Sequence, residues 1–229
     1  MTVRVLLVGA GGRMGRFTTE LLAGAGDLEL VGGLGPGDEL AAAIHDLRPD
    51  VGIDFTVAGL GADHGAALLE GGVRPVVGTS GVTPEDDARL DALARQRGLA
   101  GLVVPNFCVG IALQQELARR VASVLPTVEI IEEHHAGKLD APSGTAADTA
   151  RQLAGVKGVA EDAIPIHSVR IEGLYSNQTV VFGGPGEELR IAHRTYGLDA
   201  CGPGILAALR WVATAEAGVR RGIGAALDA

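Results

Sequence analysis

The densest chemistry in this sequence lies in one continuous run, Glu132-Glu133-His134-His135-Ala136-Gly137-Lys138-Leu139-Asp140-Ala141-Pro142-Ser143-Gly144-Thr145. Two imidazoles and an ammonium fall within five positions, from His134 to Lys138. Histidine exchanges protons near neutral pH, and lysine can anchor a carboxylate or donate a proton. A helix start at Ser143, Gly144 and Thr145 would offer free N–H groups to a second carboxylate. Three positive features would then converge where a dicarboxylate could sit. Taken alone, His134 could be a hydrogen-bonded structural histidine and Lys138 a solvated surface lysine. Zinc fits less well, because adjacent histidines rarely point to one metal and no third spaced ligand is evident. No metal is expected.

A second chemical signal follows the first apolar run. Val3–Val8 reads as a buried strand, and Gly9, Ala10, Gly11, Gly12, Arg13, Met14 and Gly15 come directly after it. A strand, a tight glycine turn and a helix start can bring backbone N–H groups and the helix dipole to a pyrophosphate. No Gly-Lys-Ser/Thr follows, which argues against a nucleotide-triphosphatase loop. An acidic residue at the end of the second strand would normally grip the adenosine ribose. The stretch Val31-Gly32-Gly33-Leu34-Gly35-Pro36-Gly37 has none before Asp38 and Glu39, and no arginine for a 2′-phosphate.

The elements that must position these groups come in two grammars. Up to Asn106, strands at Val3–Val8, Leu28–Val31, Val51–Phe55, Val73–Val77 and Leu102–Val104 alternate with helices. Those helices run to Leu22 and over Leu40–Leu47, Asp63–Glu70 and Thr83–Arg97. Thr83 caps the last, Pro84 occupies its first turn, Asp86 closes a capping box and Gly98 ends it. Such alternation implies a doubly wound parallel sheet. After Asn106, Leu113, Leu117, Val121 and Val124 recur at helical spacing, which predicts an amphipathic helix over Ile111–Val124 with those residues inward. A strand at Val128–Glu132, a loop from His134 to Gly144 and a helix from Thr145 to Leu153 follow. Strands at Ile164–Ile171, Thr179–Phe182 and Leu189–His193 come next, the last two joined by a Gly183-Gly184-Pro185-Gly186 turn. Consecutive strands suggest a mixed or antiparallel sheet, hence a second lobe. A helix is expected from Pro203 to Val219.

The 229 residues carry a formal net charge of −9, and 47% are hydrophobic, enough to bury a core. The acidic balance argues against a nucleic-acid binder, which needs basic groups to neutralise phosphates. No apolar run is long enough to span a membrane, and the first residues enter a strand without a signal-peptide layout. Two cysteines, Cys108 and Cys201, are too few for a disulfide framework and read as thiols filling space. A cytoplasmic protein is expected, without nucleic-acid or membrane partners.

The run Glu129–Ala146, including Glu132-Glu133-His134-His135 and Lys138-Leu139-Asp140-Ala141-Pro142-Ser143-Gly144-Thr145, resembles the substrate motif of the dihydrodipicolinate reductase family. Gly9–Gly15, Asp54-Phe55-Thr56, Val77-Gly78-Thr79-Ser80-Gly81 and Pro105-Asn106-Phe107 resemble its cofactor-side segments in order, so the likeness covers nearly the whole chain. It implies an α/β protein with a Rossmann-like dinucleotide-binding domain, residues 1–106 completed by 203–229. A smaller α+β domain with a mixed sheet, 107–202, would bind substrate and build a homotetramer. The implied reaction is the NADH- or NADPH-dependent reduction of a small cyclic imine dicarboxylate, 4-hydroxy-tetrahydrodipicolinate, in diaminopimelate and lysine synthesis. His134 would be the general acid/base and Lys138 the proton donor, with His135, Ser143, Gly144 and Thr145 on the substrate. Gly9, Ala10, Gly11, Gly12, Arg13 and Met14 would cradle the pyrophosphate. Phe55, Gly78, Thr79, Ser80, Val104, Pro105, Asn106 and Phe107 would line the nicotinamide side. The chain departs from the family at Gly35 and Pro36, where a ribose-contacting acid is usual, and at Leu198, where an arginine is usual. Two alternatives stay open: a paralogue reducing a related cyclic imine, and an inactive dinucleotide-binding sensor or scaffold.

Overall fold

In the computed structural model, which describes residues 2–227, the elements follow the chain as β1 (Val3–Val8), α1 (Arg13–Ala23), β2 (Leu28–Leu34), α2 (Leu40–Leu47), β3 (Val51–Asp54), α3 (Gly61–Glu70), β4 (Arg74–Val77), α4 (Pro84–Arg97) and β5 (Ala100–Val103). Next come α5 (Val109–Ala122), β6 (Thr127–His134), α6 (Gly144–Lys157), β7 (Ile166–Arg170), β8 (Ser176–Gly184) and β9 (Glu187–Thr195). Last are α7 (Gly202–Thr214), β10 (Gly218–Arg221) and α8 (Gly224–Leu227). The chain divides into two compact units, residues 1–107 with 201–229, and residues 108–200. Residues 1 and 228–229, expected within the first domain, lie outside the described residues.

Among the described residues of the first unit, six strands form a parallel sheet in the order β10-β5-β4-β3-β1-β2. Every residue of β3 and β5 is buried, as expected of strands covered on both faces. Gly52 in β3 is required by packing, because a side chain there would overlap Leu68 of α3. Helix α4 starts with the expected capping box of Thr83 and Asp86, and Gly98 ends it in the left-handed conformation at φ 67°.

The C-terminal segment departs from expectation. The helix begun at Gly202 stops at Thr214, and Gly218–Arg221 adds a strand beside β5 rather than continuing to Val219. Helical propensity in this alanine-rich stretch yields to ladder bonds at an open sheet edge.

The second unit holds a mixed sheet ordered β7-β6-β8-β9, with β7 parallel to β6 and the other neighbours antiparallel. Alternation along β6 sends Val128, Ile130, Glu132 and His134 to one buried face. There Val128 and Ile130 join Val180 and Phe182 of β8 under Ala118 and Ala122 of α5 and Ala146, Ala150, Leu153 and Ala154 of α6. The small residues let both helices approach the sheet closely. Helix α5 therefore turns a different side inward than its leucine spacing predicts. Ile111, Gln114, Ala118 and Ala122 are buried and Val121 packs half-buried against the core as expected, while Leu113, Leu117 and Val124 are exposed. Gln114 tolerates burial because its amide donates to the carbonyls of Gln178 and Ile191, at 2.9 and 2.6 Å, and accepts from Gln178 Nε2 at 2.9 Å.

Candidate functional site

In the first unit the strand order reverses between β1 and β3, the place where doubly wound sheets open a crevice beyond their carboxyl ends. The glycine loop leaves β1 there and Phe55 leaves β3. Gly9 takes φ +88°, and a Cβ on it would lie 2.5 Å from the Phe55 carbonyl oxygen. A side chain on Gly15 would overlap the Gly9 carbonyl, so the loop folds flat onto the start of α1. The amides of Gly9 and Ala10 both donate to the Leu34 carbonyl at 2.9 Å, and Gly12 donates to Gly9 at 3.1 Å. Gly11 faces open space, Arg13 is exposed and Met14 half-buried. Helix α1 has no side-chain cap and no acid in its first turn, leaving its positive end unneutralised. These residues fit a dinucleotide pyrophosphate.

The neighbouring turns supply a wall. The Phe55 and Phe107 rings meet edge to face with centroids 5.3 Å apart. Gly78 lies where they converge, since a Cβ there would be 2.5 Å from Phe55 and 2.7 Å from Phe107. Thr79, Val104 and Phe107 are buried, so they back this wall, whereas Ser80 and Pro105 are exposed and Asn106 is half-buried. Beneath Phe55, buried Asp54 accepts from the Thr56 hydroxyl at 2.8 Å and lies 3.0 Å from His64 Nδ1. Beyond β2, the Asp38 carboxylate accepts from the Gly35 amide at 2.7 Å, so the nearest acid folds back over the glycine turn.

In the second unit the face of β6 that begins as hydrocarbon ends as chemistry. Glu132 is fully buried, and Arg170 clamps both of its oxygens, at 2.7 and 2.9 Å. His134 Nδ1 lies 2.5 Å from Glu132 Oε2, and the Ser143 amide donates to Oε1 at 3.3 Å. Burial pushes the Glu132 carboxyl up, but hydrogen bonds from Arg170, Ser168 and His134 outweigh it and hold the group below the usual range. Burial pushes His134 down, and the charges of Lys138 and Arg170 add to this against the opposing pull of Glu132. At neutral pH the pair is therefore carboxylate and neutral imidazole. Its one proton sits on Nδ1, towards Glu132, and the Nε2 lone pair accepts the Ser176 hydroxyl at 3.1 Å.

The loop that follows carries the cation. The Lys138 ammonium donates to Asp140 Oδ1 at 2.7 Å, and this contact draws the Asp140 carboxyl down. Arg170 Nη2 donates to the Asp140 carbonyl at 2.7 Å, tying the loop to β7. His135 is exposed at the loop's start, and its carbonyl accepts from the Lys138 amide at 3.1 Å. The loop passes a cis Ala141–Pro142 bond into α6, whose N-cap Ser143 accepts from the Ala146 amide at 3.2 Å. Ser143 is thus a buried cap with its own N–H committed to Glu132, which corrects the expectation of a free donor there. Gly144 faces open space, Thr145 is half-buried, and no acid occupies the first turn of α6. Nor is the site simply positive, because Asp140 neutralises Lys138 and Glu132 neutralises Arg170 of β7. Proton exchange at His134, donation from Lys138 and anion binding at the α6 start are all available chemically.

Sequence reasoning left out Arg170 and Ser176 and gave Glu132 no role. Glu132 was findable, since alternation along β6 puts it beside His134. Arg170 and Ser176 reach His134 only through strand register, parallel to β7 and antiparallel to β8.

Residues 3–107 match the family profile described as dihydrodipicolinate reductase, N-terminus, and residues 110–223 that described as dihydrodipicolinate reductase, C-terminus. The 4-hydroxy-tetrahydrodipicolinate reductase of Coxiella burnetii (strain RSA 493 / Nine Mile phase I) is 40% identical over 225 residues, covering 93% of this chain and 94% of the relative. That of Geobacillus thermodenitrificans is 40% identical over 231 residues, covering 84% and 87%. A dipicolinate-bound dihydrodipicolinate reductase from Paenisporosarcina sp. TG-14 superposes with a TM-score of 0.87 at 31% identity, covering 98% of this chain and 99% of the other. The chain is a member of the dihydrodipicolinate reductase family.

Proposed function

We propose that this chain converts 4-hydroxy-tetrahydrodipicolinate to tetrahydrodipicolinate, a step of diaminopimelate and lysine biosynthesis: the 4-hydroxyl leaves as water, and the resulting unsaturated imine takes a hydride from NADH or NADPH and a proton. The observation that carries this is the Glu132–His134 pair beside Lys138 and an uncapped-by-acid helix start, in a chain 40% identical to reductases of that name. The reduced nicotinamide supplies the hydride when bound. Gly9, Ala10, Gly11, Gly12, Arg13 and Met14 hold the pyrophosphate. Phe55, Gly78, Thr79, Ser80 and Val104 through Phe107 shape the nicotinamide side. In the second unit, His135, Gly144 and Thr145 hold the substrate carboxylates. Lys138 exchanges Asp140 for substrate and donates the proton, and His134 exchanges a proton through Nε2. Ser143 supports the substrate site as the cap of α6.

The first unit is then the dinucleotide-binding domain and the second the substrate and assembly domain. Helices α5 and α6 cover one face of its sheet, and Ile131, Val181 and Arg190 lie on the other. A homotetramer would cover that second face, and light scattering should report four chains. The reaction belongs to the cytoplasm, where reduced nicotinamides are held. Among the described residues no helix is long and apolar enough to cross a membrane.

The test is turnover of enzymatically generated 4-hydroxy-tetrahydrodipicolinate by the purified protein, followed by loss of NADH or NADPH absorbance. Reduction only of a different cyclic imine would replace this reading with the paralogue. Dinucleotide binding without any turnover would leave a sensor or scaffold.

A further inference from the structure

A hydroxyl, an imidazole and a carboxylate form one hydrogen-bonded file in the second unit: Ser176 Oγ to His134 Nε2 at 3.1 Å, and His134 Nδ1 to Glu132 Oε2 at 2.5 Å. His134 and Ser176 are cross-strand partners at the end of the β6–β8 ladder. The Ser176 carbonyl accepts from the Thr195 hydroxyl of β9, and Asn177 Oδ1 accepts from the Thr195 amide at 3.2 Å. Ser176 is thereby fixed from both neighbouring strands, and its hydroxyl is the part left to rotate.

We propose that Ser176 is a positioning residue for His134, holding the ring in one orientation through both of its protonation states. This rests on the reading above, in which His134 exchanges a proton during reduction. In the neutral state the Nδ1 proton is committed to Glu132, so the Ser176 hydroxyl donates to the bare Nε2. For proton exchange the Ser176 hydroxyl first turns off the Nε2 lone pair and leaves it to the substrate; once Nε2 carries the proton, Oγ presents a lone pair and accepts a hydrogen bond from the Nε2–H. No other side chain need move, because the Glu132 partner of Nδ1 is itself clamped by Arg170, at 2.7 and 2.9 Å. A hydroxyl can play both parts, whereas an alanine plays neither. The charged groups facing the ring are Glu132 from its own strand, Arg170 from β7 and Lys138 from the following loop. None of them bonds Nε2.

The test pairs two variants with two readouts. Ser176→Ala should lower kcat roughly fivefold, the weight of one lost hydrogen bond, with dinucleotide affinity and melting temperature near wild type. Ser176→Thr, which keeps the hydroxyl on a residue suited to a strand, should restore kcat. In ¹⁵N spectra of the His134 ring, which need no turnover, Ser176→Ala should shift Nε2 while Nδ1 stays hydrogen-bonded to Glu132. An unmoved Nε2 resonance overturns the proposal even if the wild-type protein reduces no imine. So does wild-type kcat in a folded Ser176→Ala, or failure of Ser176→Thr to restore it. A shifted resonance together with an inactive wild type would overturn the reaction assignment alone.

Discussion

Replacing Arg170 with methionine should destabilise the second unit far more than an ordinary surface change. Glu132 is fully buried and both of its oxygens are held by the Arg170 guanidinium, whose own side chain is 17% exposed. Removing one partner of such a pair leaves an uncompensated buried charge, which costs about 3–5 kcal/mol. His134 and the Ser143 amide still face Glu132 in the variant, so the lower end, about 3 kcal/mol, is expected. At roughly 2–4 °C per kcal/mol for a chain of this size, the melting temperature should fall by about 6–12 °C. The pH dependence has a definite sign. Glu132 is held below its ordinary value of 4.5 in the fold, so its contribution is complete above that value and is lost as pH falls through the folded value. The gap between wild type and Arg170→Met should therefore narrow below pH 4.5. Thermal unfolding followed by circular dichroism at pH 7 and in the acid window measures both quantities. A loss under about 1 kcal/mol at neutral pH, the range of an exposed pair, would refute the reasoning. A gap that does not change with pH would refute it equally.

Lys138→Met should lower kcat by about 10²–10⁴, the usual weight of a positioned proton donor, and leave dinucleotide affinity near wild type. A rise in KM alone would mean that Lys138 only binds a carboxylate. Because burial pushes His134 below its ordinary value of 6.5, the acid limb of kcat/KM should lie below pH 6.5, and a limb above it would contradict the neutral assignment. Gly9→Ala should abolish dinucleotide binding measured by fluorescence titration, since its Cβ would meet the Phe55 carbonyl at 2.5 Å on a backbone with φ +88°. NADH and NADPH should both bind, with discrimination under about a hundredfold, or roughly 2.7 kcal/mol, because Gly35 and Pro36 neither repel nor attract a 2′-phosphate. A larger preference would point to Asp38 or Arg13.

The first unit was the more legible in sequence because its rules are local. A short buried strand, a glycine turn and a capped helix each carry their own punctuation, and Thr83, Pro84, Asp86 and Gly98 mark α4 at both ends. Strand β10 carried no such mark, for four residues following an alanine-rich helix become a strand only beside β5. In the second unit, the loop from His134 to Thr145 announced itself by composition. Its electrostatics did not, since Arg170 and Ser176 come to His134 through pairings between distant strands. The inward side of α5 was misread for a related reason. Apolar spacing favoured Leu113 and Leu117, whereas the space between helix and sheet admits alanines and a glutamine whose hydrogen bonds lie on other strands.

The parallel sheet of the first unit is finished by a strand that is made last. On a ribosome, β1 to β5 emerge first, then the whole of the second unit, and only afterwards Gly218–Arg221, the partner of β5. Throughout that interval the β5 edge is an unpaired template for any other nascent strand. The second unit, continuous in the chain, has all of its sheet partners available before the first unit does. A ribosome that stalls between Cys201 and Ala215 would release a finished insert on an unfinished host. Such truncated products should be recognised by chaperones and proteases through that bare edge.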